Sequence, residues 1–164
     1  MTHAPYFSQL ETPIGSLLLL GDERTLTGLY MHEHRHQPPT PAGCEQNDRA
    51  FRHVREQLQA YFAGKLQSFE IAVAGHGSPF QHTVWKALTE IPFGVTESYG
   101  QLASRIGNAK ASRAVGLANG KNPISIIVPC HRVIGKSGSL TGYGGGLERK
   151  KWLLEHERRV AERS

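Results

Sequence analysis

The chain has 164 residues, enough for one domain with a substantial core or for two small ones. Its 19 Lys and Arg against 14 Asp and Glu give a net charge of +5 and a pI near 9.4, a balance that suits a polyanionic partner and is also met on ordinary solvated surfaces. No apolar run reaches membrane-spanning length, the first residues lack the basic-then-apolar layout of a signal peptide, and Cys44 and Cys130 alone make no disulfide framework, so a soluble, cytoplasmic protein with no membrane partner is expected.

Residues 5–31 alternate apolar runs with turn signals: Pro13-Ile14-Gly15, Leu17 to Leu20, Gly21-Asp22-Glu23-Arg24, then Leu26 to Tyr30. This spacing predicts a meander of two or three antiparallel strands. His32, His34 and His36 follow at spacing two, which on a strand puts three imidazoles on one face. They suit either a metal or an exposed polar strand end; no carboxylate or Cys joins them at ligand spacing, so no metal is assigned. Cys44 follows a Pro-rich loop and is expected to be free and dispensable. From Asn47 the period changes, with Phe51, Val54, Leu58, Tyr61 and Phe62 on one face of a helix ended by Gly64. A short strand around Phe69 to Val73 closes this half, which carries no catalytic constellation and reads as a scaffold.

Ser78 is the expected N-cap of the next helix, with Pro79 at its first position and Phe80, Val84, Leu88 and Ile91 on one stripe, beside which Trp85 reads as packing. Ser98-Tyr99-Gly100-Gln101 is a capping box opening a helix with Leu102 and Ile106, ended by Gly107. Asn108 can cap a following helix over 109–119, and the pair outlines a helix-turn-helix. The second helix is rich in small residues (Ala109, Ala111, Ser112, Ala114, Gly116, Ala118) and sets Lys110 and Arg113 one turn apart. Small residues let another surface approach closely; a protein core would also select them, but the two cations favour DNA.

Ile124, Ile126, Ile127 and Val128 read as a short buried strand that Pro129 stops at the start of a new helical turn. Cys130 would then sit where unpaired N–H groups lower a thiol pKa, suiting a nucleophile; a small buried hydrophobe is the other reading. His131 is adjacent and its side chain diverges from Cys130, so a proton would pass through a bridging water. Asn122 is either a turn residue before Pro123 or a tie between helix and reactive strand. Half of the twelve residues from Gly135 to Gly146 are Gly, yet Cys130 stands where a phosphate-binding loop needs its first Gly, so nucleotide binding is rejected and Tyr143-Gly144-Gly145 reads as a pocket wall. In the last helix Glu157 has Leu153, Leu154, Val160 and Ala161 one turn away, so its carboxylate belongs to the apolar face, whereas Glu155 among Lys151, Arg158 and Arg159 is solvated. A buried carboxylate needs a partner, and both His131 and Arg132 qualify.

The run Pro129-Cys130-His131-Arg132, with Asn122-Pro123 before it and with Ser98-Tyr99 and Ala111-Ser112-Arg113-Ala114-Val115-Gly116 upstream, closely resembles the O6-alkylguanine-DNA alkyltransferases. The likeness is strong from about Phe80 to Glu157 and weak before that. It implies single-turnover repair without a cofactor. The alkyl group of O6-alkylguanine, and by extension O4-alkylthymine, would pass from duplex DNA to Cys130, with His131 and Glu157 as a relay and Asn122 bonded to local backbone. It further implies minor-groove docking through Lys110, Ala111, Ser112, Arg113, Ala114 and Gly116. Arg113 would replace the flipped base, with Tyr99, Val133, Tyr143, Gly144 and Gly145 around that base. Where the family often has Ser or Ala, Gly144 implies a roomier pocket.

The expected architecture is α/β: a small N-terminal α/β domain (1–75; short antiparallel sheet plus helix) joined to a mostly helical C-terminal domain (76–164) containing the helix-turn-helix, monomeric in solution. A Cys-His hydrolase and a non-catalytic lesion-binding helix-turn-helix protein are the rival readings. The first should turn over and has no use for Lys110 and Arg113, and the second needs no reactive Cys.

Overall fold

The computed structural model describes residues 5–32, 43–136, 138, 143 and 146–163. His34, His36, Gly144 and Gly145 lie outside these. Strands β1 (Tyr6–Thr12), β2 (Gly15–Gly21) and β3 (Leu26–Met31) form the expected antiparallel meander, and β4 (Glu45–Gln46) adds in parallel to β1, giving the order β3-β2-β1-β4. The turn between β1 and β2 is Pro13-Ile14, with Thr12 opposite Gly15. The four consecutive leucines of β2 serve both faces through the two-residue period of a strand. Leu17 and Leu19 enter the main core, while Leu18 and Leu20 pack with Tyr30 on the other side, against which Cys44 and Phe7 rest.

Asn47 caps a short 3-10 turn through the Ala50 N–H, and helix α1 (Arg52–Phe62) follows with Val54, Leu58 and Tyr61 buried as its periodicity requires. No strand forms over 69–73; Val73 makes one bridge to Leu26, held by Leu26 N–H to Ala72 O and Ala74 N–H to Leu26 O. Helix α2 (Pro79–Leu88) starts at the Ser78–Gln81 capping box, and the buried Trp85 donates its indole N–H to Ala118 O at 2.9 Å. A short strand β5 (Glu97–Ser98) leads into α3 (Tyr99–Arg105), started by the Ser98–Gln101 capping box. Gly107, at φ +84°, supports the turn to α4 (Ser112–Gly120).

Two further local expectations are corrected. The second helix of the pair begins at Ser112, not at 109; Asn108 contributes its backbone carbonyl to the Ala111 N–H, so Lys110 lies in the turn and does not share a helical face with Arg113. The apolar run 124–128 is not a strand. Only Ile124 bridges to β3, through Leu29, and Ile126 takes φ +73°, a left-handed conformation that costs a β-branched residue about 1–3 kcal/mol. Asn122 explains this: its amide donates to Val128 O (2.8 Å) and Ile124 O (3.3 Å) and its oxygen accepts from Ile124 N–H (3.0 Å), folding the run into a tight turn.

After that turn comes a 3-10 turn, Cys130–Arg132, then β6 (Val133–Ile134), which pairs in parallel with β5. The chain closes with α5 (Leu147–Arg163). One core runs through both halves, joining Leu17, Leu29 and Tyr61 to Val84, Leu102, Val115 and Cys130.

Candidate functional site

The β5–β6 pair sets the site. Glu97 lies opposite Val133 and Ser98 opposite Ile134, so Tyr99 at the head of α3 follows directly from the strand that pairs with the residues after Cys130. From the α4 side, Asn119 donates its side-chain amide to Cys130 O at 3.2 Å. Asn122 therefore folds the segment before the cysteine, and Asn119 fixes the cysteine backbone itself.

Cys130 is 3 % exposed. Burial pushes its thiol up to about 11, against the pull of the Asn122 amide and the Lys150 charge. The expected lowering of its pKa is thus overturned: a three-residue 3-10 turn offers too little dipole to offset the desolvation of a thiolate in a closed core. The resting group is a thiol, and its activation requires a base.

His131 and Glu157 meet inside the protein. His131 Nε2 lies 2.7 Å from Glu157 Oε2, with the two side chains 0 % and 1 % exposed. The rival partner is present at the same time. Arg132 donates from Nε to Oε1 at 2.9 Å and from Nη2 to Oε2 at 3.0 Å, and from Nη1 to Ile91 O at 2.6 Å. Tyr61, from α1, donates its hydroxyl to Oε2 at 2.6 Å. Burial opposes the Glu157 charge, but His131 and Arg132 overcome it and hold the carboxyl well below the usual carboxylate range. Burial lowers the His131 pKa despite Glu157, so the imidazole is neutral near pH 7. A neutral ring facing an anion on Nε2 carries its proton there. Its Nδ1, buried and without a hydrogen-bond partner among the described residues, is then the free acceptor.

Lys150, fully buried on α5, places Nζ 5.8 Å from the centre of the Tyr99 ring and 6.0 Å from that of Tyr143. Burial brings its pKa down to about 8, with Cys130 pulling the other way. Tyr143 is itself buried, its hydroxyl 3.7 Å from Met31 Sδ, and Val133 is wholly buried in β6.

Next to this cluster a groove of about 1300 Å³ is lined by Tyr99, Arg113, Gly116, Lys121 and Lys136 among others. Ser112, Arg113 and Ala114 are exposed, while Val115, Ala118 and Asn119 turn inward, so the small outer face of α4 is not spent on packing the core. A Cβ on Gly116 would sit 3.8 Å from two Tyr99 ring carbons, ordinary contact, so internal packing does not demand glycine there. Lys110, Ala111 and Ala114 do not line the groove.

Three site residues escaped the sequence reading. Lys150 precedes Glu157 by seven residues, two helical turns, and the periodicity that singles out Glu157 selects it equally. Asn119, one turn after the buried Val115, carried the same signal. Tyr61 was assigned to an apolar face, and nothing local indicates that its hydroxyl reaches a residue 96 positions away. Of the histidine trio only His32 is described, and it is exposed; among the described residues no group of three or more His, Cys, Asp or Glu could hold a metal.

Two family models match the chain. One, described as 6-O-methylguanine DNA methyltransferase, DNA binding domain, covers residues 79–159, and the other, its ribonuclease-like domain, covers residues 6–74. A methylated-DNA–protein-cysteine methyltransferase from Methanosarcina acetivorans is 51 % identical over 93 % of this chain and 97 % of its own length. The crystal structure of Mycobacterium tuberculosis O6-methylguanine methyltransferase superposes with a TM-score of 0.88 at 50 % identity, covering 94 % of this chain and 93 % of that one. That of Mycobacterium tuberculosis OGT in complex with DNA superposes at 0.89, also at 50 % identity, covering 94 % of each. The likeness extends through the first half, where the motifs were weak. With this fold, and with these residues gathered around one buried cysteine, the chain belongs to the 6-O-methylguanine DNA methyltransferase family.

Proposed function

We propose that the chain repairs DNA by transferring the alkyl group of O6-alkylguanine to Cys130, acting once per molecule. The observation that carries this is the buried pair His131–Glu157, joined at 2.7 Å, with His131 next to Cys130 in the chain, beside a groove bearing Arg113 and Tyr99. The family membership and the DNA complex of the Mycobacterium tuberculosis relative support DNA as the partner. O4-alkylthymine presents the same bond to be broken and is included in the proposal.

Duplex DNA docks its minor groove on α4, as a monomeric protein can do alone. Swinging the damaged base out costs a few kcal/mol, and the planar guanidinium of Arg113 filling the gap offsets part of it. Ser112, Ala114 and Gly116 permit close approach. Glu157 holds the neutral His131 with Nδ1 free to accept, through one water, the proton that Cys130 loses. The sulfur then displaces guanine at the alkyl carbon. A C–S bond forms, the C–O bond breaks, and its electron pair leaves with the guanine ring, which takes a proton from Tyr99 or a nearby donor. Displacement at carbon needs no cofactor. The thioether has no internal route back to a thiol, which makes the reaction self-inactivating. Residues 76–164 carry this chemistry and 1–75 scaffold it. A reducing compartment such as the cytoplasm keeps the sulfur available.

Intact mass after incubation with O6-benzylguanine tests the reading. One benzyl adduct, mapped to Cys130 and absent in Cys130→Ser, is expected. Turnover without an adduct would indicate a hydrolase, and no reaction a lesion-binding protein.

A further inference from the structure

Leu117 is the most exposed large apolar side chain among the described residues, at 65 %. A single exposed leucine is ordinary; its position is not. It follows Arg113 by one helical turn on α4, so the two side chains stand on the same face, with Gly116 and Gly120 between and beyond them leaving the backbone bare. All four line the groove, together with Lys121 and Lys136. An apolar side chain fixed on a rigid helix, level with a guanidinium and ringed by cations, matches a surface that is anionic at its edges and apolar between its stacked bases. Protein partners with an apolar face would not call for the surrounding charges, whereas a nucleic-acid minor groove uses both.

We propose that Leu117 is a minor-groove wedge: it enters the opened base step beside Arg113 and raises the population of the flipped-out nucleotide. The proposal rests on the DNA-repair reading above. Arg113 occupies the place of the lost base, and Leu117 covers the apolar ring face of the neighbouring step that loses its stacking partner. The two act on the same barrier from adjacent positions. The wedge works by excluding water from exposed base faces, so its contribution depends on apolar area and not on charge.

The test compares Leu117→Ala and Leu117→Lys with the unaltered protein on three substrates: O6-methylguanine in duplex, the same lesion in a single strand, and free O6-benzylguanine. Because the side chain is exposed, Leu117→Ala keeps the fold and helix intact. At saturating protein, duplex repair should slow about tenfold in Leu117→Ala, equal to about 1.4 kcal/mol, while single-strand repair and the free-base reaction stay within about twofold. Leu117→Lys should bind unmodified duplex at least as tightly and still repair it slowly, separating wedge from charge. A duplex rate in Leu117→Ala equal to that of the unaltered protein, or an equal loss on single strand and duplex, would overturn the wedge. If the unaltered protein forms no adduct on any of the three substrates, it is the alkyl-transfer reading that fails.

Discussion

Replacing Glu157 by Gln alters one atom and disturbs four neighbours. In the native protein Oε2 accepts from Tyr61 (2.6 Å), His131 (2.7 Å) and Arg132 (3.0 Å), and Oε1 accepts from Arg132 (2.9 Å) and, more weakly, from the Gly94 N–H (3.4 Å). Every group around the carboxyl is therefore a donor, so an amide NH₂ in either orientation faces donors with a donor. Arg132, 7 % exposed, also loses the charge that compensates it. Removing one partner of a buried ion pair costs about 3–5 kcal/mol. For a chain of this size each kcal/mol lowers Tm by about 2–4 °C, so Glu157→Gln should melt about 6–20 °C below the native protein. Thermal unfolding followed by circular dichroism measures this. The surviving folded fraction, assayed with O6-benzylguanine well below its Tm, should also react more slowly, because nothing then holds the His131 proton on Nε2. A variant melting within about 2 °C of the native protein would refute the reasoning, since the carboxylate would then have no bearing on either neighbour.

Tyr61→Phe should cost about 1.5–3 kcal/mol in the native background, the range for a hydrogen bond to a charged acceptor, and much less in Glu157→Gln; equal costs in a double-mutant cycle would mean that the 2.6 Å contact contributes nothing. Acid should destabilise the protein in two steps. His131 and Glu157 both have folded pKa values below their ordinary ones, so each binds protons more readily when unfolded. The His131 contribution is complete above pH 6.5 and is lost as pH falls below it, and the Glu157 contribution is complete above pH 4.5 and is lost below that. Urea unfolding across pH 3–8 should show stability falling in that order; a flat profile between pH 6.5 and pH 4.5 would contradict the His131 assignment, and a flat profile from pH 4.5 down to pH 3 that of Glu157. Arg113→Ala should slow repair in duplex by roughly 30–100-fold, a few kcal/mol of extrusion being no longer offset, while the free base reacts with far less change; equal losses in single-turnover assays would remove Arg113 from the flipping step.

Much of the site is a matter of local pattern, and local pattern is what a sequence displays. The capping boxes at Ser78 and Ser98, the glycine ending α3 and the apolar stripe that forces Glu157 inward each depend on residues within two helical turns. The two candidate partners of Glu157 were both legible, and the carboxylate takes both because its two oxygens accept from two directions. The run 124–128 misled for the opposite reason. Its β-branched composition favours a strand, but the Asn122 side chain satisfies three backbone groups within six residues, and that overrides intrinsic preference.

Residue order alone determined that Cys130 and His131 are neighbours, that Glu157 is buried and that Arg113 stands among small residues on α4. Only the tertiary structure decided the electrostatics. Burial from every side, not position on a turn, sets the thiol pKa near 11. The contact of Tyr61 with Glu157 joins residues on two helices that are far apart in the chain. A charge responds to everything packed around it, and that packing is a property of the folded chain, whereas periodicity and capping are already complete within a few residues of backbone.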